Sequence, residues 1–319
     1  MTSNEILRVA FFTENGKKLC DRLMDSQERC VFEIRDKSQS LEDFVRISFE
    51  GHLPILFIGA AGIAVRAISP FVKDKLSDSC VLVTDELGKF VIPLLSGHYG
   101  KGIERAKEIS KLLGAVPVIT TATDINGVFS VDVFAVNNGL HIVNKDLIKK
   151  VSSKALKGEE LCLGKDFCIT DNPEEENSKE CLLLKPKRVV LGMGCKKGKT
   201  FEELKDFVLS IYDEDYLRQN LYAICSIDVK ARETGLIKLA FYFGAEFITY
   251  SKQELLAARG EFEESDFVKD TVGVGNVCER AAICGAGEGS ELILKKTARD
   301  GMTIAGAKRG KIDLIWQER

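Results

Sequence analysis

The sequence predicts an α/β fold: an N-terminal doubly wound, mostly parallel sheet, a small middle segment, and a second α/β domain at the C-terminus. Three observations predict it. Short apolar runs alternate with amphipathic stretches through the first third of the chain. Glycine turns stand between an apolar run and the helix after it, at 59–62 and again at 192–198. An acidic, turn-rich stretch from Asp171 to Glu180 divides this pattern from a second series of strands and helices.

In chain order, Ile6–Phe12, Cys30–Ile34, Pro54–Ile58, Cys80–Thr84 and Val116–Thr120 read as strands. Between them, Gly16–Asp25, Leu41–Phe49, Ile63–Lys73 and Gly102–Leu113 read as helices. Strands joined through helices argue for a parallel sheet. Glu86 to Phe90 reads as a turn joining Val81–Thr84 to Phe90–Pro93, so one antiparallel pair is inserted. Val131–Asn144 and Lys145–Leu156 read as helical or mixed, and Leu182–Leu184 as a short strand. The last third opens with the strand Arg188–Leu191, glycines, and the helix Thr200–Ser210. Leu221–Asp228, Glu246–Tyr250 and Glu291–Thr297 read as strands. Ser251 and Glu254 form a capping box before the helix Leu255–Arg259, and Asn276–Ile283 is a helix after a glycine turn. Arg299-Asp300-Gly301 lets Glu291–Thr297 pair with Met302–Ala305. The domain map that follows is 1–125, 126–186 with the acidic linker, and 187–319.

The 319 residues suggest about two domains. Apolar content of 45%, charged content of 29% and a formal net charge of −3 are ordinary for a globular chain and leave no basic footprint for nucleic acid. The most apolar stretch, Leu53–Val72, is broken by Pro54, Gly59, Gly62, Arg66 and Pro70, so it reads as strand, turn and helix rather than a membrane span. The N-terminus shows no signal-peptide pattern, so a cytoplasmic location is expected. Ten scattered cysteines without Cys-x-x-Cys read as reduced thiols, and no zinc site is expected.

Five segments can carry chemistry, each with a bland reading beside it. Gly59-Ala-Ala-Gly62 opens a helix, with Arg66 on the same face as Gly62. It reads as an anion-binding turn or as a tight connection with a surface arginine. Ser96-Gly97-His98 precedes another helix, where a neutral imidazole can serve as a base or merely bond backbone. Thr120, Thr121 and Asp124 end a strand, where ligands bind in open α/β sheets, or they cap the next helix. Gly192-Met-Gly194-Cys-Lys196-Lys197-Gly198-Lys-Thr200 comes close to two phosphate-binding motifs and fits neither, because residue 193 is Met and the third glycine falls one residue late. Lys196 and Lys197 there can meet carboxylates or stay solvated. Lys230 and Glu279 lie beside further strand-end and glycine turns, where an ion pair or a cap is the bland reading.

Taken together, Gly59 to Arg66, Ser69-Pro70, Asp74-Lys75, Asp85, Val91 to His98 and Pro117 to Asp124 resemble the N-terminal domain of the CbiG family. Leu191 to Gly198, Ser226 to Lys230, Gly273-Val274 and Val277 to Ala282 resemble its C-terminal domain. The chain departs from the family pattern at Tyr99-Gly100 and at Ala231-Arg232-Glu233. The resemblance implies a cobalt-precorrin-5A hydrolase, which opens a ring δ-lactone and releases acetaldehyde to give cobalt-precorrin-5B. It implies a cobalt-corrinoid substrate, no cofactor and no metal site in the protein, since cobalt arrives with the substrate, and it leaves a homodimer open. His98 is then the expected base, with Asp85 or Asp124 as its orienter. Gly59, Gly62, Ser96, Gly97, Thr120, Thr121, Gly194 and Glu279 are expected to line the substrate. Arg66, Lys196, Lys197 and Lys230 are expected to face its acetate and propionate groups. A corrinoid carrier without activity predicts binding without acetaldehyde release, and a P-loop protein predicts saturable ATP binding.

Overall fold

The computed structural model describes the chain except residues 1, 4, 27–29, 76, 97–99, 175–179, 263–271 and 317–319, with backbone only at 2 and 3. The expected strand–helix series is present, and it groups into two compact units. One holds residues 7–27, 32–186 and 313–319, the other 1–6, 28–31 and 187–312.

The chain starts with two strands, β1 (Thr2–Ser3) and β2 (Glu5–Phe11). In the first unit there follow α1 (Glu14–Asp25), β3 (Cys30–Ile34), α2 (Leu41–Glu50), β4 (Ile55–Ile58), α3 (Ala61–Ile68), β5 (Val81–Thr84), β6 (Phe90–Leu95), α4 (Gly102–Leu113) and β7 (Val116–Pro117). Their sheet runs β3-β2-β4-β5-β6-β7. β2, β4 and β5 are parallel, β6 is antiparallel to β5, and β7 is parallel to β6. Strands β4 and β5 are buried at every position, as a parallel sheet covered on both faces requires. Phe44, Val45, Ala64 and Ile68 close one face over Ile55, Phe57, Val81 and Val83. The buried guanidinium of Arg8 donates to the Phe44 carbonyl (2.7 Å) and pairs with Glu33, which ties β2 to α2. Helix α3 stops at Ile68, short of the expected Lys73, because Pro70 has no N–H to continue the ladder. Strand β7 ends at Pro117 rather than Thr120.

The middle of the chain adds α5 (Ala122–Ile125), α6 (Val131–Asn137), β8 (Leu140–Ile142), α7 (Ile148–Leu156), β9 (Phe167–Ile169) and β10 (Leu182–Pro186). β8, β10 and β9 form a three-stranded sheet over Phe134, Ile148 and Val151. Cys168 and Cys181, expected as reduced thiols, form a disulfide with Cα atoms 6.4 Å apart. Parallel pairing of β9 with β10 sets Cys168 opposite Leu183, two residues from Cys181, which explains the approach.

The second unit contains β11 (Val189–Cys195), α8 (Phe201–Leu209), α9 (Glu214–Asn220), β12 (Leu221–Ile227), α10 (Thr234–Phe243), β13 (Glu246–Tyr250), α11 (Lys252–Ala257), α12 (Val277–Ala286), β14 (Glu291–Arg299) and β15 (Met302–Lys308). Its sheet runs β1-β13-β12-β11-β15-β14, with β11, β12 and β13 parallel and the hairpin β14–β15 antiparallel at one edge. Helix α12 packs closely on β11. A Cβ on Gly192 would fall 1.8 Å from the Cys278 carbonyl oxygen, so only glycine permits this approach. Among the described residues no helix is long and apolar enough to cross a membrane.

Candidate active site

Strand direction decides which of the expected residues can meet. β2, β4 and β5 all end at one edge of the first sheet. There lie Gly59 after β4, Gly62 and Arg66 on α3, and Asp85 after β5. Gly59 has φ +155° and donates its N–H to the Thr84 carbonyl (2.8 Å). Arg66 folds back over Gly62, which has no side chain to block it. No side chain caps α3. Asp85 is committed to the β5–β6 turn, where its carboxylate accepts from the backbone N–H groups of Leu87, Lys89 and Phe90 at 2.9–3.0 Å. Thr13, the N-cap of α1, joins this edge by donating to Glu86 (2.6 Å), a contact across 73 residues that no local pattern announces.

Because β6 runs backwards, Leu95 pairs with Val81 at the far end of β5. Ser96 therefore sits at the opposite edge from Gly59 and Asp85, about four residues or roughly 13 Å of strand away. β7 runs with β6, so Thr120, Thr121 and Asp124 follow toward the edge that holds Ser96. The first sheet thus divides the expected residues into two groups, Gly59, Gly62, Arg66 and Asp85 at one edge, Ser96, Thr120, Thr121 and Asp124 at the other. Gly97 and His98 lie outside the described residues.

The described neighbours of that second group are strongly polar. Ser96 has φ +52° and donates its hydroxyl to the Asp78 carbonyl (2.7 Å), with the Lys75 carbonyl at 3.5 Å. Gly100 N–H donates to the Ser96 carbonyl (3.1 Å). Gly100 has no room for a Cβ, which would meet Ser96 at 2.9 Å. The Lys75 ammonium lies 3.7 Å from Asp132. Neither α4 nor α5 carries a side-chain N-cap, although Thr121 stands at the capping position of α5.

In the second unit β11, β12 and β13 also end together; Gly194 lies near the end of β11, and Lys196, Lys197 and Lys230 follow the strands. Lys196 and Lys197 are exposed. The Lys196 side chain crosses Gly301, and its N–H donates to the Gly301 carbonyl (2.9 Å). Lys230 is paired with Glu233 (2.9 Å), whose other oxygen accepts from the Gly198 N–H (2.9 Å). Burial pushes the nearby Cys195 thiol up to about 11, against the opposing pull of Lys230. The glycine loop is occupied internally in the places where a P-loop would bind phosphate and metal: Lys199 pairs with Glu203 (2.7 Å), and Thr200 caps α8. Glu279 is 1% exposed, accepting from Lys296 N–H (2.8 Å) and from the Asn276 amide (2.7 Å). Its carboxylate holds α12 against β14, which meets the demand of a buried charge for partners. Among the described residues no group of three His, Cys, Asp or Glu side chains is arranged for a metal ion.

Comparisons with known proteins follow the two-part pattern of the chain. Residues 43–124 match the family described as Cobalamin synthesis G N-terminal, and residues 189–307 match Cobalamin synthesis G C-terminus. A protein from Salmonella typhimurium named cobalt-precorrin-5A hydrolase is 33% identical over 270 residues, covering 74% of this chain and 77% of that protein. A protein of the same name from Priestia megaterium is 29% identical, covering 88% of this chain and 85% of its own length. Among solved structures, a cobalamin biosynthesis protein G homolog from Sulfolobus solfataricus aligns over 96% of this chain and 97% of its own, at 22% identity and a TM-score of 0.43.

Proposed function

The chain belongs to the CbiG family of cobalt-precorrin-5A hydrolases, and from that membership we propose that it opens the δ-lactone of cobalt-precorrin-5A and releases acetaldehyde in cobalamin biosynthesis. The observation that carries this reading is the 33% identity to a hydrolase of that name across three quarters of the chain. On this reading the protein is a cytoplasmic enzyme, and cobalt is part of its substrate.

The reaction asks two things of the protein. Ring opening needs a water activated against the lactone carbonyl and donors for the oxygen that gains charge. The hydroxyl freed in that step then loses its proton. Its C–O bond becomes C=O as the bond to the macrocycle breaks, the electron pair stays on the macrocycle, and acetaldehyde leaves. One base can serve both steps, and we assign it to His98, whose imidazole accepts a proton near neutral pH. Asp124 suits the orienting role better than Asp85, because the Asp85 oxygens are taken by three backbone N–H groups at the other edge of the sheet. The start of α4 carries no side-chain cap, and its positive end suits the oxyanion or a substrate carboxylate.

Single-turnover acetaldehyde release, with enzyme in excess over cobalt-precorrin-5A, tests the assignment. His98→Ala and His98→Gln are expected to bind substrate and to react about 100-fold more slowly. Turnover near that of the wild type in both variants moves the base elsewhere. Substrate that binds without any acetaldehyde from the wild type removes the hydrolase reading.

A further inference from the structure

Asp132 is 6% exposed and lies in the first turn of α6. Both of its oxygens have partners. Oδ1 accepts from the Ser130 hydroxyl and from the Val133 N–H (3.1 Å), and Oδ2 faces the Lys75 ammonium. Ser130 stands at the N-cap of α6, the position where a serine hydroxyl ordinarily accepts from the helix backbone. Here it makes no capping bond and donates to Asp132 instead. The helix start has thus given up its cap, and its hydroxyl holds a buried carboxylate in one orientation. That carboxylate stands 3.7 Å from the Lys75 ammonium, while 59% of the Lys75 side chain stays exposed.

The lysine is not placed at random on the surface. The backbone around it is the backbone that Ser96 binds, through the Asp78 carbonyl at 2.7 Å and beside the Lys75 carbonyl at 3.5 Å. Asp78 is itself fixed, since both its carboxylate oxygens accept from the Lys73 N–H. The result is an ammonium oriented by a buried acid, open to solvent, on the segment that anchors the Ser96 turn. An isolated surface lysine keeps its rotamer freedom, whereas one held by a buried, hydrogen-bonded carboxylate has lost much of that freedom before a ligand arrives.

We propose that Lys75 binds a peripheral carboxylate of the substrate, and that Asp132 is the positioning residue that aims it. The proposal rests on the reading of the Ser96 edge as the place of reaction and adds a specificity contact to it. It predicts that a macrocycle with free acetate and propionate groups is favoured over one whose groups are amides, because an ammonium pairs with a carboxylate and gains far less from a neutral amide.

Two measurements test it on the full chain. In steady-state acetaldehyde release from cobalt-precorrin-5A, Lys75→Ala is expected to raise KM about tenfold with kcat within about threefold, the signature of lost uniform binding. Lys75→Arg keeps most of the affinity. Asp132→Asn raises KM by a smaller factor, and in the Lys75→Ala background it adds nothing, because Asp132 acts through that lysine. Lys111→Ala, an exposed lysine at the end of α4, is the control. The second measurement is a binding titration with two stable cobalt corrinoids, one bearing free carboxylates and one bearing amides. Wild type prefers the first, and Lys75→Ala loses that preference. An unchanged KM and preference in Lys75→Ala, or an Asp132→Asn effect that persists in full without Lys75, overturns the proposal. A wild type that shows the carboxylate preference but releases no acetaldehyde overturns the hydrolase reading and leaves the lysine site standing.

Discussion

The two six-stranded sheets follow one plan of parallel strands and glycine turns, yet they treat the starts of their helices differently. In the second unit α8, α9, α11 and α12 are each closed by a side chain, from Thr200, Asp213, Ser251 and Asn276, and two of these are full capping boxes. In the first unit α1 and α2 are closed by Thr13 and Ser40. α3, α4 and α5, which follow the family's motif segments, have no side-chain cap. A cap contributes on the order of 1 kcal/mol. Among the described helices, α3 to α7 of the first unit forgo that stabilisation, whereas in the second unit α10 alone does. Side-chain capping is thus the rule in the second unit and the exception in the first.

Substitutions can break or sharpen that contrast, and the strongest concerns glycines. Gly192→Ala places its Cβ against backbone atoms of α12 at 1.8 and 2.7 Å, which no side-chain motion relieves. We expect a loss of more than about 4 kcal/mol of stability, enough to unfold the second unit. Gly62→Ala meets only the flexible end of Arg66 at 3.4 Å and is expected to change stability by less than about 1 kcal/mol. Urea denaturation followed by circular dichroism compares the two, and equal effects would end the contrast.

The next effect depends on pH. Lys187 is buried and donates to the Gly244 carbonyl (2.8 Å), and burial pulls its ammonium down to about 8 against the opposing pull of Glu246. A lysine whose folded-state value lies below its unfolded value of 10.5 is a burden while charged. Between pH 8 and 10.5 the unfolded chain still holds a proton that the folded chain has released, so stability contributed by this group rises with pH across that window. The full gain is about 3 kcal/mol. Lys187→Met should flatten the slope of unfolding free energy over this range. An unchanged slope would show that the ammonium is better solvated than its burial implies.

The smallest effect separates caps from contacts. Thr200→Ala removes a capping bond and is expected to cost about 1 kcal/mol in thermal or urea unfolding. Thr121→Ala removes no such bond, so its stability should stay within about 0.5 kcal/mol of the wild type. Its consequence should appear in KM for the cobalt-precorrin instead. A stability loss at Thr121 equal to that at Thr200 would place the hydroxyl in the structure rather than at the substrate.

Much of this organisation was legible in the residues. Ser251 and Glu254 announce their capping box, Cys30–Ile34, Gly102–Leu113 and Glu246–Tyr250 match their expected bounds, and the turn from Glu86 to Phe90 gives the antiparallel pair. What local pattern does not carry is the consequence of that pair. Reversing β6 sends the Ser96 turn to the opposite edge from Asp85, so residues grouped by sequence motif are divided by topology. Helix α10 escaped notice because Thr234–Phe243 is apolar on nearly every side and shows little of the amphipathic period that marks a surface helix. The Cys168–Cys181 bridge depends on the pairing of β9 with β10, which a three-residue strand scarcely signals. Glu279 and Lys230 look like ligand contacts in sequence, but the fold supplies each with a protein partner.

The two ends of the chain make the division between units less simple than a cut at residue 187 suggests. The backbone of β1, at residues 2 and 3, supplies the outermost strand beside β13, and the ring of Trp316 lies 4.8 Å from that of Phe134 while Asn138 brackets the Ile315 peptide through both its amide atoms. Each unit thus depends on a short segment from the far end of the polypeptide. A gene split at that boundary would yield a piece with a bare edge strand at β13, open to pairing with other chains, and a piece whose aromatic cluster has lost its indole. Only the continuous chain supplies both units with the segments that complete them.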